Sequence, residues 1–330
     1  MAKGCGLRPE QGGFQPVPAH FNAVHKVLPG NCSISQFIER KKIYTGLESR
    51  TRSLNRPVHF FHSKRAGSMK LFNRDLAMYA RNAYRIPAYF AYFFKCFRVF
   101  KKPVSFILSY IRMIPPSGGV IELRKGIQIH LSSHPHDVVT VFIIFIRNDY
   151  GVVPPRSTVI DIGANIGVYS LYAASCGACR VIAFEPNTEA FRCLQHNIRA
   201  NHLETVIEPH RLAVAASSGR RMRFPKNASA YNSFLRGVSS VEFELVKTIG
   251  LKGIMGKIDR LDLLKMDCEG AEWEILNGAG HDVVDRIDAI RMEYHLGQRD
   301  QIAAFLQSNG FSIKYLAGNK AAGTLWAEKS

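Results

Sequence analysis

Val159-Ile-Asp-Ile-Gly-Ala-Asn-Ile-Gly167, followed eighteen residues later by Glu185, is the stretch that decides how this chain folds. Thr158-Val-Ile-Asp-Ile162 is a short apolar run suited to a strand buried on both faces. The glycines behind it permit a tight turn into a helix reaching about Ser175. Arg180-Val-Ile-Ala-Phe-Glu185 reads as a second strand, and the helix expected after Pro186-Asn-Thr carries Phe191, Leu194 and Ile198 on one face. Working outward, further strands are expected over 212–215, 261–266, 289–294, 311–315 and 324–327, with helices after Gly270 and Gln298. Strands alternating with amphipathic helices predict an α/β fold built on a doubly wound, mostly parallel sheet. The last two strands have no helix between them, so they should close the sheet as an antiparallel hairpin.

Before this unit the pattern is less regular. Residues 1–68 are rich in Gly, Pro, Arg, Ser and His without a sustained period, and are read as a basic extension too polar to offset its own ordering entropy. Met69 opens a more protein-like stretch and is an expected alternative start. A helical N-terminal segment is expected over 69–119, broken near Pro87 and Pro103 and ending in Pro115-Pro-Ser-Gly-Gly119. Residues 120–131 alternate around Lys125-Gly126 as a β-hairpin, and 137–150 reads as a helix with Asp137 near its N-terminus, a strand being the alternative.

The composition is that of an ordinary globular protein, 46% apolar and 21% charged. The net charge of +18 is unevenly spread: residues 1–110 hold 19 Lys/Arg against 4 Asp/Glu, the remainder 25 against 22. The half that looks catalytic is nearly neutral, so the basicity is weak ground for a nucleic-acid acceptor. Seven scattered cysteines predict reduced thiols and a cytoplasmic setting. Residues 1–30 lack the apolar run of a secretory signal. The aromatic run from Ala88 to Phe100 is interrupted by Lys95 and Arg98 and falls short of the roughly 20 apolar residues of a spanning helix. With Arg81, Arg85, Lys101 and Lys102 around it, the 81–102 segment suits peripheral contact with an anionic membrane surface. Packing on the catalytic domain is the plainer alternative.

In a doubly wound sheet a ligand binds beyond the carboxyl ends of the strands, where strand order reverses. Gly163 and Gly167 let the backbone approach it, and Glu185, ending the second strand, can accept hydrogen bonds from ribose hydroxyls. A nicotinamide dinucleotide would want G-x-G-x-x-G, but Asn165 and Val168 occupy the second and third glycine positions. Asp161 also places a carboxylate where a pyrophosphate would be repelled. S-adenosylmethionine carries no phosphate, and its ammonium and sulfonium are cationic, so a carboxylate at Asp161 suits it. A second constellation, Leu263-Leu-Lys-Met-Asp-Cys-Glu-Gly-Ala-Glu272, ends a buried strand in Asp267 and opens a helix with Glu269 and Glu272. Glu272 and Glu274 are explained by the helix dipole alone. A carboxylate directly after Leu-Leu-Lys-Met is better explained by function.

Together these segments resemble the FkbM family of methyltransferases. The resemblance is carried by Val-Ile-Asp-Ile-Gly-Ala-Asn-Ile-Gly-Val-Tyr-Ser170, Ala183-Phe-Glu-Pro186, the Asn197/Asn201 spacing, Lys265-Met-Asp-Cys-Glu-Gly-Ala-Glu-Trp-Glu-Ile-Leu276 and Met292-Glu-Tyr-His295. It covers about 120–330, which is then the methyltransferase domain, and more loosely 84–119. It implies a class I methyltransferase: a Rossmann-like, seven-stranded sheet, S-adenosylmethionine as cofactor, and O-methylation of a hydroxyl on a sugar or other small metabolite. The expected cofactor contacts are Asp161, Gly163, Asn165, Gly167, Glu185, Pro186, Asn187 and Ala213. Relatives often carry an Asp or Asn where this chain has Ala213-Val-Ala-Ala216. A neutral alcohol needs a positioned base, for which Asp267, Glu269, Glu293 and His295 are candidates. Glu293, with Tyr231, Asn232 and Ser233 of the 227–234 loop, is expected against the acceptor. No metal site is assigned, a divalent cation on Asp267 and Glu269 being the weaker alternative. Asp267-Cys-Glu-Gly stands where nitrogen methyltransferases carry Asn/Asp-Pro-Pro-aromatic, which disfavours an amine acceptor. The rival readings are an RNA methyltransferase using the basic N-terminus, and a non-catalytic membrane-associated binding protein.

Overall fold

The computed structural model describes residues 70–71, 74–75, 86–132, 134–226 and 243–330. Helices α1 (Ile86–Val99) and α2 (Pro103–Arg112) start at the two prolines flagged above, Pro87 and Pro103 falling in first turns, where a missing N–H costs nothing. Strands β1 (Val120–Glu122) and β2 (Gln128–His130) form the expected hairpin. Helix α3 (His136–Val141) runs straight into a π-helical turn over Phe142–Arg147, so the 137–150 segment is helical rather than extended.

The main sheet holds seven strands: β3 (Thr158–Ile162), β4 (Arg180–Phe184), β5 (Ile207–His210), β9 (Leu263–Met266), β10 (Ala289–Tyr294), β11 (Phe311–Gly318) and β12 (Gly323–Lys329). Their order is β11-β12-β10-β9-β3-β4-β5. Neighbours are parallel except where β12 runs antiparallel to both β10 and β11. This is the doubly wound sheet with a C-terminal hairpin. The chain leaves β3 toward β4 and β5 and returns to β9 on the other side, so strand order reverses between β3 and β9.

Side chains alternate across the sheet into two cores. Val159, Val181, Ala183 and Leu263 pack with α1, α2, the π-helical turn, α4 (Val168–Ser175) and α5 (Thr188–Ala200). Ile160, Ile162, Ile182, Phe184, Leu264 and Met266 pack with α6 (Leu251–Met255), α7 (Glu272–Ala279), α8 (His281–Val284) and α9 (Arg299–Ser308). On the first side Cys96, Phe100, Phe106 and Tyr110 are buried, and the Tyr110 ring stacks on Phe142 at 4.0 Å. The opposite face of α1 leaves Phe90, Phe94 and Phe97 exposed. No helix among the described residues is long and apolar enough to cross a membrane.

One sequence assignment moves. The strand expected over 212–215 exists as β6 (Ala213–Ala215), but it belongs to a separate three-stranded sheet with β7 (Arg221–Pro225) and β8 (Phe243–Gly250). The third strand on that side of the main sheet is β5, whose sequence Ile-Glu-Pro-His hides it. Only Ile207 is buried there, and an edge strand tolerates a proline.

Candidate active site

The site begins with an ion pair in the sheet. Lys265 on β9 stands in register with Asp161 on β3. Its Nζ lies 3.0 Å from Asp161 Oδ1 and donates to the Gly163 carbonyl at 2.9 Å, while Ser170 Oγ donates to Asp161 Oδ2 at 2.7 Å. Burial works against the Lys265 charge, but Asp161 and then Asp267 more than offset it and hold the ammonium above the ordinary lysine range. The rings of Tyr150 and Tyr169 lie 5.6 and 5.7 Å from Nζ and add a cation–π contact. Asp161 is fully buried and does not line the cavity described below. Its charge is matched by Lys265, and Lys265 fixes the turn.

Gly163 turns with φ +76, and a Cβ there would sit 2.0 Å from the Asp267 carbonyl, so the end of β9 packs directly on this loop. Gly167, φ +90, is also required, but for packing. A Cβ would meet Leu194 Cδ1 at 2.6 Å. Between them Asn165 adopts a left-handed φ of 51. Its N–H donates to Glu185 Oε2 at 2.8 Å, and the Asn187 N–H donates to Glu185 Oε1 at 2.8 Å. Asn187 then caps α5, its Oδ1 accepting from the N–H groups of Glu189 and Ala190 at 3.0 Å each. Glu185 is 7% exposed. Burial pushes its carboxyl up to about 7, with the two N–H bonds and Lys265 pulling the other way.

These residues open on a cavity of about 420 Å³ beyond the carboxyl ends of β3, β4, β9 and β10. That falls within the roughly 300–1,000 Å³ of small-molecule and cofactor sites. Gly163, Asn165, Glu185, Pro186, Asn187 and Ala213 line it. Asp267, Glu269, Glu293 and Tyr150 form its acidic part, Asp267 packing directly on Gly163. Apolar walls come from Ile143 and Ile144 of the π-helical turn and from Met222 and Phe224 of β7.

In the acidic part the Tyr150 hydroxyl donates to Asp267 Oδ2 at 2.9 Å and lies 3.4 Å from Glu293 Oε1. His295 Nδ1 is 3.1 Å from Glu272 Oε1, and its Nε2 is 3.9 Å from both Glu269 Oε2 and Glu293 Oε2. Burial disfavours the imidazolium, yet Glu272, Glu269 and Asp267 outweigh it and raise His295 to about 10. Glu272, explained by the helix dipole from sequence, is instead fully buried, with its carboxyl held below the usual range by His295 against the cost of burial. Glu293 is pushed well above that range by burial and Asp267.

Tyr231, Asn232 and Ser233 lie outside the described residues. Two residues on the cavity wall escaped the sequence reading as site residues. Lys265 had a signal, a lysine inside the wholly buried Leu-Leu-Lys-Met, which demands a counter-charge on a neighbouring strand. Tyr150 had none, because nothing local distinguishes a tyrosine just after an apolar helix.

Residues 161–313 match the methyltransferase FkbM domain family. The chain is 28% identical over 139 residues to the hexuronic acid methyltransferase AglP of Haloferax volcanii, covering 42% of this chain and 55% of that one. It is 27% identical over 195 residues to the 31-O-demethyl-FK506 methyltransferase FkbM of Streptomyces tacrolimicus, covering 48% and 74%. Among solved structures it is similar to a ribosomal protein L11 methylase from Lactobacillus delbrueckii subsp. bulgaricus, with 15% identity, a TM-score of 0.35, and coverage of 58% of this chain and 80% of that one. The matched segment opens on Asp161 and holds Glu185, Lys265, Asp267 and Glu293, so residues 161–313 carry a methyltransferase FkbM domain.

Proposed function

We propose that this chain is an S-adenosylmethionine-dependent O-methyltransferase acting on a hydroxyl of a sugar or another small metabolite, with 120–330 as its catalytic domain. The observation that carries the cofactor assignment is Glu185. It is a buried carboxylate at the end of β4, fixed by two backbone N–H donors, with its remaining lone pairs available to a diol. The donor set fits the cofactor elsewhere as well. Among the described residues Lys265 is the only Lys or Arg on the cavity wall, already paired with Asp161, and the wall's carboxylates favour a ligand that brings positive charge.

When bound, S-adenosylmethionine supplies an electrophilic methyl group on a sulfonium. The protein's share is alignment and dehydration. Lys265 holds the Gly163 carbonyl and so the turn that cradles the cofactor. Ile143, Ile144, Met222 and Phe224 exclude water from the cavity. Asp267 is the carboxylate best placed to receive the acceptor's proton, since it lines the cavity with Oδ2 oriented by the Tyr150 hydroxyl. An oxygen acceptor is supported by the absence of a Pro-Pro-aromatic amine seat after β9, and by the names of the two relatives, a hexuronic acid methyltransferase and a 31-O-demethyl-FK506 methyltransferase. The small-molecule acceptor is preferred to RNA because the excess of basic over acidic residues falls in the first 110 positions, leaving the rest of the chain nearly neutral.

Calorimetric titration of S-adenosylmethionine into the full chain tests the assignment. Micromolar binding by wild type, weakened at least tenfold in Glu185→Ala, is expected. A folded wild type that takes up no S-adenosylmethionine would overturn it.

A further inference from the structure

We propose that Asp267, Glu293 and His295 hold one divalent metal ion in the acidic part of the cavity, with Glu269 beside it. The ion's role in activating a hydroxyl rests on the methyl-transfer reading; its binding does not.

The geometry is set by two adjacent strands. Glu293 and His295 are two residues apart at the end of β10, so they present to the same side of the sheet. Asp267 directly follows β9, whose last residue, Met266, pairs with Met292. One oxygen of Asp267, one oxygen of Glu293 and a ring nitrogen of His295 therefore lie within 4.8 Å of one another. Metal bonds to such ligands run about 2.0–2.2 Å, which allows two ligands of one ion to stand up to about 4.4 Å apart. Side-chain movements of a few tenths of an ångström close the set.

An independent feature points the same way. His295 is buried, yet its Nε2 makes no hydrogen bond; the nearest oxygens are Glu269 Oε2 and Glu293 Oε2, both at 3.9 Å. Its other nitrogen, Nδ1, is tied to Glu272 Oε1, and that same oxygen accepts from the N–H groups of Cys268 and Gly270 at 3.1 Å each. A buried carboxylate that orients a histidine through one nitrogen and aims the other at acidic ligands is the usual support of a metal-bound imidazole. The charge balance agrees. Three carboxylates meet in this part of the cavity, and the nearby Lys265 ammonium is already paired with Asp161 and the Gly163 carbonyl. One imidazole with two or three carboxylates suits Mn²⁺ among the common divalent ions, and it also accommodates Mg²⁺ or Zn²⁺. A hydroxyl oxygen bound to such an ion is a stronger acid than the free alcohol, which would lighten the demand on any base.

The test is titration of Mn²⁺ into the chelator-treated full chain, reading the electron paramagnetic resonance signal of free Mn²⁺, with S-adenosylmethionine binding measured on the same preparations. One site per chain is expected, weakened at least tenfold in His295→Ala and in the isosteric Glu293→Gln. Glu272→Gln, which disturbs the support of His295 and of the Cys268–Gly270 turn but removes no ligand, should weaken it 10- to 100-fold. Circular dichroism identifies any variant that fails to fold, and Glu293→Gln then carries the comparison. No Mn²⁺ uptake by wild type, or uptake unchanged in a folded Glu293→Gln, overturns the proposal, whatever S-adenosylmethionine does. Site-dependent Mn²⁺ uptake without S-adenosylmethionine binding leaves the metal site standing and removes the methyl-transfer reading instead.

Discussion

Glu185 shows how burial tunes one residue for its proposed work. Its carboxyl sits near 7 because it is desolvated, and it accepts both hydrogen bonds of a ribose diol most strongly when ionised. The sign follows directly: lowering the pH through about 7 protonates it and removes an acceptor, so S-adenosylmethionine affinity should fall, by up to about tenfold per unit well below that value. Calorimetry between pH 5.5 and 8 checks this, and Glu185→Gln should flatten the profile. The same protonation should relieve the unliganded fold, because a carboxylate whose folded pKa is raised favours the native state at low pH and loses that advantage as pH rises through about 7. Lys265 is the second residue whose substitution is decisive. Lys265→Met leaves Asp161 as an uncompensated buried charge and should cost about 3–5 kcal/mol in urea unfolding. Pairing it with Asp161→Asn should recover most of that loss. A single mutant as stable as wild type would show that Lys265 does not neutralise Asp161.

Helix α5 and the β1–β2 hairpin illustrate how elements are joined. Asn197 Oδ1 accepts from the His130 N–H at 2.7 Å, and its Nδ2 donates to the His130 and Ile166 carbonyls at 3.0 and 2.8 Å. Asn201 makes the same pair of bonds to Gln128, at 2.7 Å each. Four residues of helix rise about 6 Å, and two residues of strand about 6.7 Å, so the two amides imitate a neighbouring strand. Asn197→Ala should cost about 2–3 kcal/mol by leaving buried backbone groups unpaired, and Asn201→Ala, at a less buried position, about 1 kcal/mol; denaturant midpoints would separate them. Elements such as β3, β4 and β10 were legible in the sequence because they are apolar runs closed by a charge or a glycine. The same contrast exposed Glu185 and Asp267. β5 was not legible, since an edge strand need bury only one residue in four. The convergence of Tyr150 on Asp267 and Glu293, and of Glu272 on His295, was not either, because it arises from packing between segments 23 to 143 residues apart. The lysine partner of Asp161 was not read either: a charge inside a strand signals a partner, without saying whether that partner is a ligand or a lysine.

At the scale of the whole molecule, the helices before residue 113 are part of one core. Cys96, Phe100, Phe106 and Tyr110 pack with Ile129, Phe142 and the residues of β3. A chain beginning at Val120 should therefore fail to fold or aggregate, while one beginning at Ile86 should melt cooperatively; scanning calorimetry of the two distinguishes them. The Lys265–Asp161 pair also has a consequence for how the molecule assembles. Parallel strands 100 residues apart can meet in several alignments, and apolar runs such as Leu-Leu-Lys-Met and Val-Ile-Asp-Ile discriminate poorly among them. A shift of one residue would turn the lysine to the opposite face and bury two opposite charges out of reach of each other. The pair thus works as a proofreading device for the nascent sheet, rejecting a slipped central strand before the rest of the structure closes over it.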